Sequence, residues 1–338
     1  MRVLFLVPRL DKASTRHRVL QYLPYLQERG ISCGVRTLPK DRWWDGTLFQ
    51  EARSSDVVFL QKRILSPLLL FALRRSSPRL VYDLDDAVMF RDQASTERHR
   101  SLRWWKFVLT AKLADLVIAG NRYLRDQVFP HNPNVQLLPT PLNMARYVPR
   151  LPLEPGRKVR ILGWIGSRPT LRHLDTLAPV LEKVGRRRAD LRLKVVADAF
   201  PDIECPPLIP KRWDSNEEIS DLHSFDIGLM PLKDDVWAKG KCGFKLLQYM
   251  AVGLPAVCSP VGMNREIVEH GWNGLWAESP EEWIAAIEEL LGDSRRRESL
   301  GHHARERVIE KYSLSVNAPF FARILEEAME RQPARLLG

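Results

Sequence analysis

Short runs made wholly of apolar residues recur along this chain, and each is followed by a longer stretch with apolar residues at helical spacing. A run with no polar face is buried on both sides, and its alternation with helices implies parallel sheets covered on both faces. In the first half, residues 3–7, 57–60, 80–84, 116–119 and 135–138 read as such strands. Residues 15–29 place Val19, Leu20, Leu23 and Leu26 on one helix face, with Gly30 to end it. A second series, with strands at 159–165, 191–197, 227–232 and 256–259, follows a Pro-, Gly- and charge-rich stretch at 151–160 that suits a linker. Ser279-Pro280-Glu281-Glu282 opens a helix of the capping-box type, with Trp283, Ile287, Leu290 and Leu291 inward and Gly292 at its end. The 338 residues exceed one compact core. The expected fold is α/β: two Rossmann-like, doubly wound domains facing a cleft, 1–150 and 151–313.

Charge divides along the same line. Residues 1–150 carry 25 Lys and Arg against 13 Asp and Glu, whereas the remainder is nearly neutral. A basic half suits an anionic partner, and nucleic acid, anionic lipid and a phosphorylated acceptor are all open; solubility alone is the plainer reading. Trp104 and Trp105 lie among Arg100, Arg103 and Lys106, a mixture that suits the headgroup layer of a membrane unless the tryptophans are core. Leu68 to Arg79 forms a second such cluster. Cys33, Cys205, Cys242 and Cys258 are scattered, without a C-x-x-C pair, so neither a disulfide framework nor a zinc site is indicated. They read as free thiols of a reducing compartment, with Cys258 in the core. The opening MRVLFLVPRL is interrupted too early by Pro8 and Arg9 for a signal peptide, and no apolar run reaches the ~18 residues of a membrane span. The expected location is cytoplasmic, soluble or peripheral on the inner face of the cell membrane.

In open parallel sheets ligands bind where strands end and helices begin, because helix N-termini offer free N–H groups and partial positive charge. After the first strand, Ser14 or Thr15 can cap a helix whose first turn holds Arg16 and Arg18. Cations there oppose the helix dipole, which points to an anion contact, from acceptor or phosphate. The strand 80–84 runs into Asp83-Leu84-Asp85-Asp86, carboxylates fit for base, charge-stabilising or metal roles. Alternation places Asp83 and Asp85 on one face, with Asp86 turned away or capping the next segment. After 159–165, Gly166 and Ser167 permit close approach of a phosphate that Arg168 and Arg172 would neutralise. Lys241 and Lys245, four apart, read as one helix face sharing an anion.

Residues 245–262, KLLQYMAVGLPAVCSPVG, together with Glu266-Ile-Val and Gly271-Trp-Asn-Gly274-Leu, closely resemble the donor-binding region of GT-B retaining glycosyltransferases of the family 4, or group 1, type. Phe225-Asp-Ile-Gly-Leu-Met-Pro-Leu232, Pro139-Thr-Pro-Leu-Asn143 and Tyr147-Val-Pro149 fit as well, so the resemblance covers almost the whole chain. It implies a second domain that binds a nucleotide-sugar donor, a first domain that holds a glycan or polyprenyl-linked acceptor, and no obligatory metal or other cofactor. The implied diphosphate site is Gly166, Ser167, Arg172, Lys241, Lys245, Gly262, Met263 and Asn264, with the last three offering backbone N–H groups. Many members carry Glu-x7-Glu, which grips the sugar and the donor ribose; here those positions are Gly240 and Gln248, and Gln248 can still bond a ribose hydroxyl. Asp85 stands where relatives often have a His, which implies a role in the chemical step for Asp85 or Asp86. The resemblance also implies a last helix, about 314–331, that crosses back onto the first domain. The expected activity is sugar transfer with retention in cell-envelope polysaccharide or glycoconjugate synthesis. Alternatives are a nucleotide-sugar epimerase, a non-catalytic GT-B-like scaffold, and a nucleic-acid-binding protein; the last lacks any helix-turn-helix, zinc or RNA-binding signature.

Overall fold

A computed structural model describes residues 1–38, 46–90, 101–150 and 158–330. Most of the linker expected at 151–160 and residues 98–100 of the basic cluster lie outside these.

The first unit comprises Met1–Pro141, Asp235–Cys242 and the chain from Leu314. Its strands are β1 (Arg2–Val7), β2 (Ser32–Thr37), β3 (Val57–Gln61), β4 (Leu80–Leu84), β5 (Leu116–Ala119) and β6 (Val135–Leu137). They form one parallel sheet in the order β2-β1-β3-β4-β5-β6, so the order reverses beside β1. β1, β3, β4 and β5 are the apolar runs of the sequence, and nearly all their residues are buried. The helix Leu314–Glu330 lays Ala318, Phe321, Ile324 and Leu325 on this sheet. There Phe321 meets Phe59 edge-on at 5.7 Å and Tyr22 at 4.4 Å between ring centroids.

The single helix expected at 15–29 is broken into Ala13–Arg18, a short 3-10 turn at Leu20–Tyr22 and Leu23–Glu28. Val19 leaves helical geometry (φ −130°, ψ −66°), and Pro24 starts the second helix because its missing N–H is harmless in a first turn.

The second unit comprises Leu142–Asp234 and Gly243–Ser313. Its strands are β7 (Arg160–Ile165), β8 (Leu191–Val196), β9 (Leu208–Lys211), β10 (Ile227–Met230), β11 (Ala256–Cys258) and β12 (Leu275–Trp276). They make a second parallel sheet ordered β12-β11-β10-β7-β8-β9, which reverses at β7. The helix Pro280–Gly292 starts with the expected capping box, Ser279 and Glu282 each bonding the other's backbone N–H, and buries Trp283, Ile287, Leu290 and Leu291. Both units are thus Rossmann-like, and each has a reversal point at which strand ends diverge to accept a ligand. Among the described residues no helix is long and apolar enough to cross a membrane.

Candidate active site

In the first unit, β3 and β4 pair with Gln61 opposite Asp83, so the residues that follow each strand become neighbours. Lys62 follows β3 and Asp85-Asp86 follow β4. The Lys62 ammonium lies 3.1 Å from Asp85 Oδ1 and also bonds Asp86 Oδ2. Its backbone N–H donates to Asp83 O at 2.8 Å. Burial alone would push the Lys62 ammonium toward neutrality; the Asp85 and Asp86 carboxylates override it and hold its pKa above the ordinary lysine value. The cooperating carboxylates are therefore Asp85 and Asp86, and not Asp83 and Asp85 as alternation implied. The strand stops at Leu84, and the alternation of faces stops with it.

Asp83 has a different partner. Its carboxylate takes both arms of the Arg18 guanidinium (Nε to Oδ2, 2.9 Å), and Arg18 also donates to Leu138 O and Thr140 Oγ1, each at 3.1 Å. Arg18 is 2% exposed. Burial would lower its pKa, and the Asp83 charge reverses that; on Asp83 burial raises the carboxyl pKa and Arg18 pulls it back down. The expectation that Arg18 meets a ligand anion is corrected: its donors are spent on protein. Ser14 and Thr15 lie within the helix Ala13–Arg18 instead of capping it. The Thr15 hydroxyl donates to Gln61 Oε1 at 3.0 Å, and Gln61 Nε2 donates to Ser14 O at 3.0 Å, tying this helix to the end of β3. Arg16 occupies the same helix.

The segment Asp235–Cys242, which the sequence joins to the donor-binding motif, is folded into the first unit. Asn121 Nδ2 donates to Lys239 O (3.2 Å) and Lys241 O (3.0 Å), and the Cys242 thiol donates to Asp85 O at 3.2 Å. Burial pushes the Cys242 thiol pKa up, which keeps it a protonated donor. At Gly240 any Cβ would come within 2.7 Å of the Ala87 backbone nitrogen, so this position accepts no side chain at all. Lys241 and Lys245 do not share a helix face: Gly243, at φ +62°, starts a new helix (Phe244–Ala251) after Lys241, and Lys241 sits over the Trp237 ring at 3.4 Å. The expected pairing is corrected, because a helix cannot be read through that left-handed residue.

In the second unit, β7 runs out at Gly166-Ser167 into the helix Arg168–Asp175, the strand and turn at the sheet's reversal point. Lys245, in the first turn of Phe244–Ala251, reaches across to that loop. Its Nζ donates to Thr170 Oγ1 at 3.0 Å and lies 4.0 Å above the Trp164 ring centre. A Cβ on Gly166 would fall 2.1 Å from the Trp164 ring and 2.6 Å from that Nζ, so glycine leaves room for the indole and the ammonium over it. Arg172 is half-buried two residues after Thr170 on the same helix. After β11, Gly262 turns left-handed (φ +54°) into a short helix. Asn264 is buried, its side-chain amide on Ser259 O (2.9 Å) and its own N–H on Val261 O (3.2 Å), so of the three expected donors it is committed to the fold. Gly262 and Met263 stand at the start of that turn.

Gln248 is 4% exposed and donates through Nε2 to the Tyr147 hydroxyl at 3.2 Å, and Tyr147 donates to Glu218 Oε1 at 2.8 Å. That amide nitrogen therefore serves the fold, which corrects its assignment as a free ribose contact. Sequence reading missed Lys62, Trp164, Tyr147, Asn121 and the role of Cys242. Lys62 alone carried a usable signal, since it directly follows a strand.

Of the tryptophan pair in the basic half, Trp104 stacks on Phe90 at 5.7 Å while Trp105 is 51% exposed. Among the described residues no group of three or more His, Cys, Asp and Glu is arranged to hold a metal ion.

Comparison with known proteins bears on both units. Residues 159–293 match the family model described as glycosyl transferases group 1. Over 90 residues the chain is 34% identical to an uncharacterised glycosyltransferase of Methanocaldococcus jannaschii, which is 26% of this chain and 23% of that protein. Over 59 residues it is 41% identical to spore coat protein SA of Bacillus subtilis, 17% and 16% of the two chains. The matched segments span less than a quarter of those curated relatives. Among solved structures, sucrose-phosphate synthase of Thermosynechococcus elongatus superposes over 97% of this chain and 98% of that one, with a TM-score of 0.74 at 14% identity. The Anabaena protein HepE, solved with UDP and glucose, covers 97% and 100%, with a TM-score of 0.72 at 15% identity. The chain therefore has the GT-B fold, and its residues 159–293 match the model of the group 1 glycosyl transferases.

Proposed function

We propose that this protein is a retaining glycosyltransferase that moves a hexosyl group from a nucleotide-sugar to a glycan or lipid-linked acceptor in cell-envelope glycoconjugate synthesis. The observation that carries the reading is the Lys245 ammonium standing beside Gly166 and Thr170, at the reversal point of a sheet whose sequence matches the group 1 family. Cleavage of the sugar–phosphate bond leaves negative charge on the diphosphate. Lys245, Arg172 and the backbone amides of Gly262 and Met263 are the donors proposed for that charge, since the Gly166 and Ser167 amides are spent on Val196 O and Thr170 Oγ1. HepE has been solved with UDP-glucose, so a uridine nucleotide is the first donor to try. In the first unit Asp85, with Asp86 beside it, would stabilise positive charge on the sugar or orient the acceptor hydroxyl. Arg16 remains the basic residue proposed for the acceptor's phosphate.

In calorimetric titration with UDP, Lys245→Ala is expected to weaken binding by about 1–3 kcal/mol, as for a hydrogen bond to a charged group. Unchanged affinity in a folded variant rejects the diphosphate site. Product analysis with UDP-glucose and no acceptor separates transfer from epimerisation. A wild-type protein that binds the nucleotide and alters no donor with or without glycan and lipid-linked acceptors would be a GT-B-like binding protein, the reading that Gly240 and the engaged Gln248 favour.

A peripheral membrane position is part of the same reading. The helices Pro67–Ser76 and Leu102–Leu113 pack together and expose Leu68 (68%), Leu102 (66%), Trp105 and Phe71. Arg75, Arg103 and Lys112 are exposed on the same two helices. Such a surface suits an anionic bilayer, where apolar side chains enter the headgroup layer and cations meet lipid charge. Co-sedimentation is expected to rise with the phosphatidylglycerol content of vesicles and to fall as salt increases. Binding indifferent to both would sink this placement.

A further inference from the structure

Lys62 has a backbone that a lysine rarely adopts. Its φ is +57°, and among the described residues it is the one non-glycine at positive φ. Glycine would take that conformation without steric cost, and strained residues of this kind persist where the surroundings over-determine them. What surrounds Lys62 is specific. Its N–H is on Asp83 O, and its side chain, 24% exposed, bridges Asp85 and Asp86. The Asp85 carboxylate is itself only 11% exposed, and its Oδ1 has no hydrogen-bond partner beyond this ion pair among the described residues. The turn is pinned from its other side by the Cys242 thiol on Asp85 O and by Ala87 against Gly240. Two adjacent carboxylates left alone would repel and splay apart. A single ammonium between them keeps them together.

We propose that Lys62 is a positioning residue for the acidic turn: it holds the Asp85 and Asp86 carboxylates side by side and cancels one of their two charges. The turn then presents one net negative charge in a fixed place. This rests on the reading of Asp85 as the residue that acts in the transfer step. The left-handed backbone is the means, since it turns the chain at the end of β3 so that the side chain reaches the residues after β4.

Three variants test it, read by hydrolysis of UDP-glucose, in which water takes the glucosyl group as UDP leaves. Lys62→Met removes the charge and keeps the length, and is expected to lower turnover roughly 10²-fold with donor KM changed by no more than about threefold. Lys62→Arg restores a cation and is expected to recover turnover to within about tenfold of wild type. Lys62→Gly relieves the backbone and is expected to lose turnover as Lys62→Met does. Full turnover in Lys62→Gly or Lys62→Met overturns the proposal, and so does a Lys62→Arg variant as slow as Lys62→Met. If the wild-type protein releases no UDP, that failure belongs to UDP-glucose hydrolysis and not to the clamp, which has a second readout. The clamp is then read from the side-chain carboxyl carbon shifts of Asp85 and Asp86 by NMR, which are expected to move in Lys62→Met. Shifts identical to wild type overturn the clamp whatever the activity.

Discussion

Arg18→Ala is expected to cost the first unit about 3–5 kcal/mol, the range for breaking a buried ion pair by removing one partner. The loss comes less from the missing attraction than from what is left behind. Asp83 is wholly buried, and without Arg18 its carboxylate has neither solvent nor a cation against it. Leu138 O and Thr140 Oγ1 lose a donor at the same time. In calorimetry the first unit's melting temperature should fall by on the order of 10 °C. The double variant Arg18→Met, Asp83→Leu tests the cause, because it removes both charges and keeps the volume. It should recover most of the loss. A single variant as stable as wild type would return Arg18 to the ligand role that the sequence suggested for it.

Asp85→Asn carries the largest expected effect on activity. The amide keeps the shape of the carboxylate and removes its charge. If that charge stabilises the sugar in the transition state, turnover falls by roughly 10²-fold or more while donor affinity changes little, because only interactions stronger in the transition state raise turnover. Asp86 gives the control. Its carboxylate is the more exposed of the two and shares Lys62, so Asp86→Asn is expected to be the milder change. Near-normal turnover in Asp85→Asn with loss in Asp86→Asn would move the assignment one residue along. If neither substitution matters, the turn is structural.

The fold was legible wherever burial was complete. β3, β4, β5 and β11 are apolar but for Gln61 and Asp83 because both faces are covered, and that pattern needs no partner to be seen. β2, β9 and β12 escaped for the opposite reason. They lie at sheet edges, where Ser32–Thr37 and Leu208–Lys211 keep many residues partly exposed and show no continuous apolar run. For the site, carboxylates after a strand were legible because strand ends are where ligands bind. Lys62 also follows a strand, but its role was hidden, since its partners lie 23 and 24 residues away and are brought together only by the Gln61–Asp83 register. Arg18 misled because its charge looks idle in a helix, and the carboxylate that occupies it is 65 residues on. Lys241 misled because helical spacing was carried across Gly243.

The route of the chain also fixes an order of completion. The aromatic face formed by Phe5, Tyr22 and Phe59 is roofed by Phe321, from the helix Leu314–Glu330. A ribosome therefore makes the floor of that core first and its roof last, with every residue of the second unit in between. The second unit can close while the first is still unroofed, so the usual sequence of N-terminal domain first is inverted here. Until the helix Leu314–Glu330 emerges, Phe5, Tyr22 and Phe59 lack the cover of Phe321.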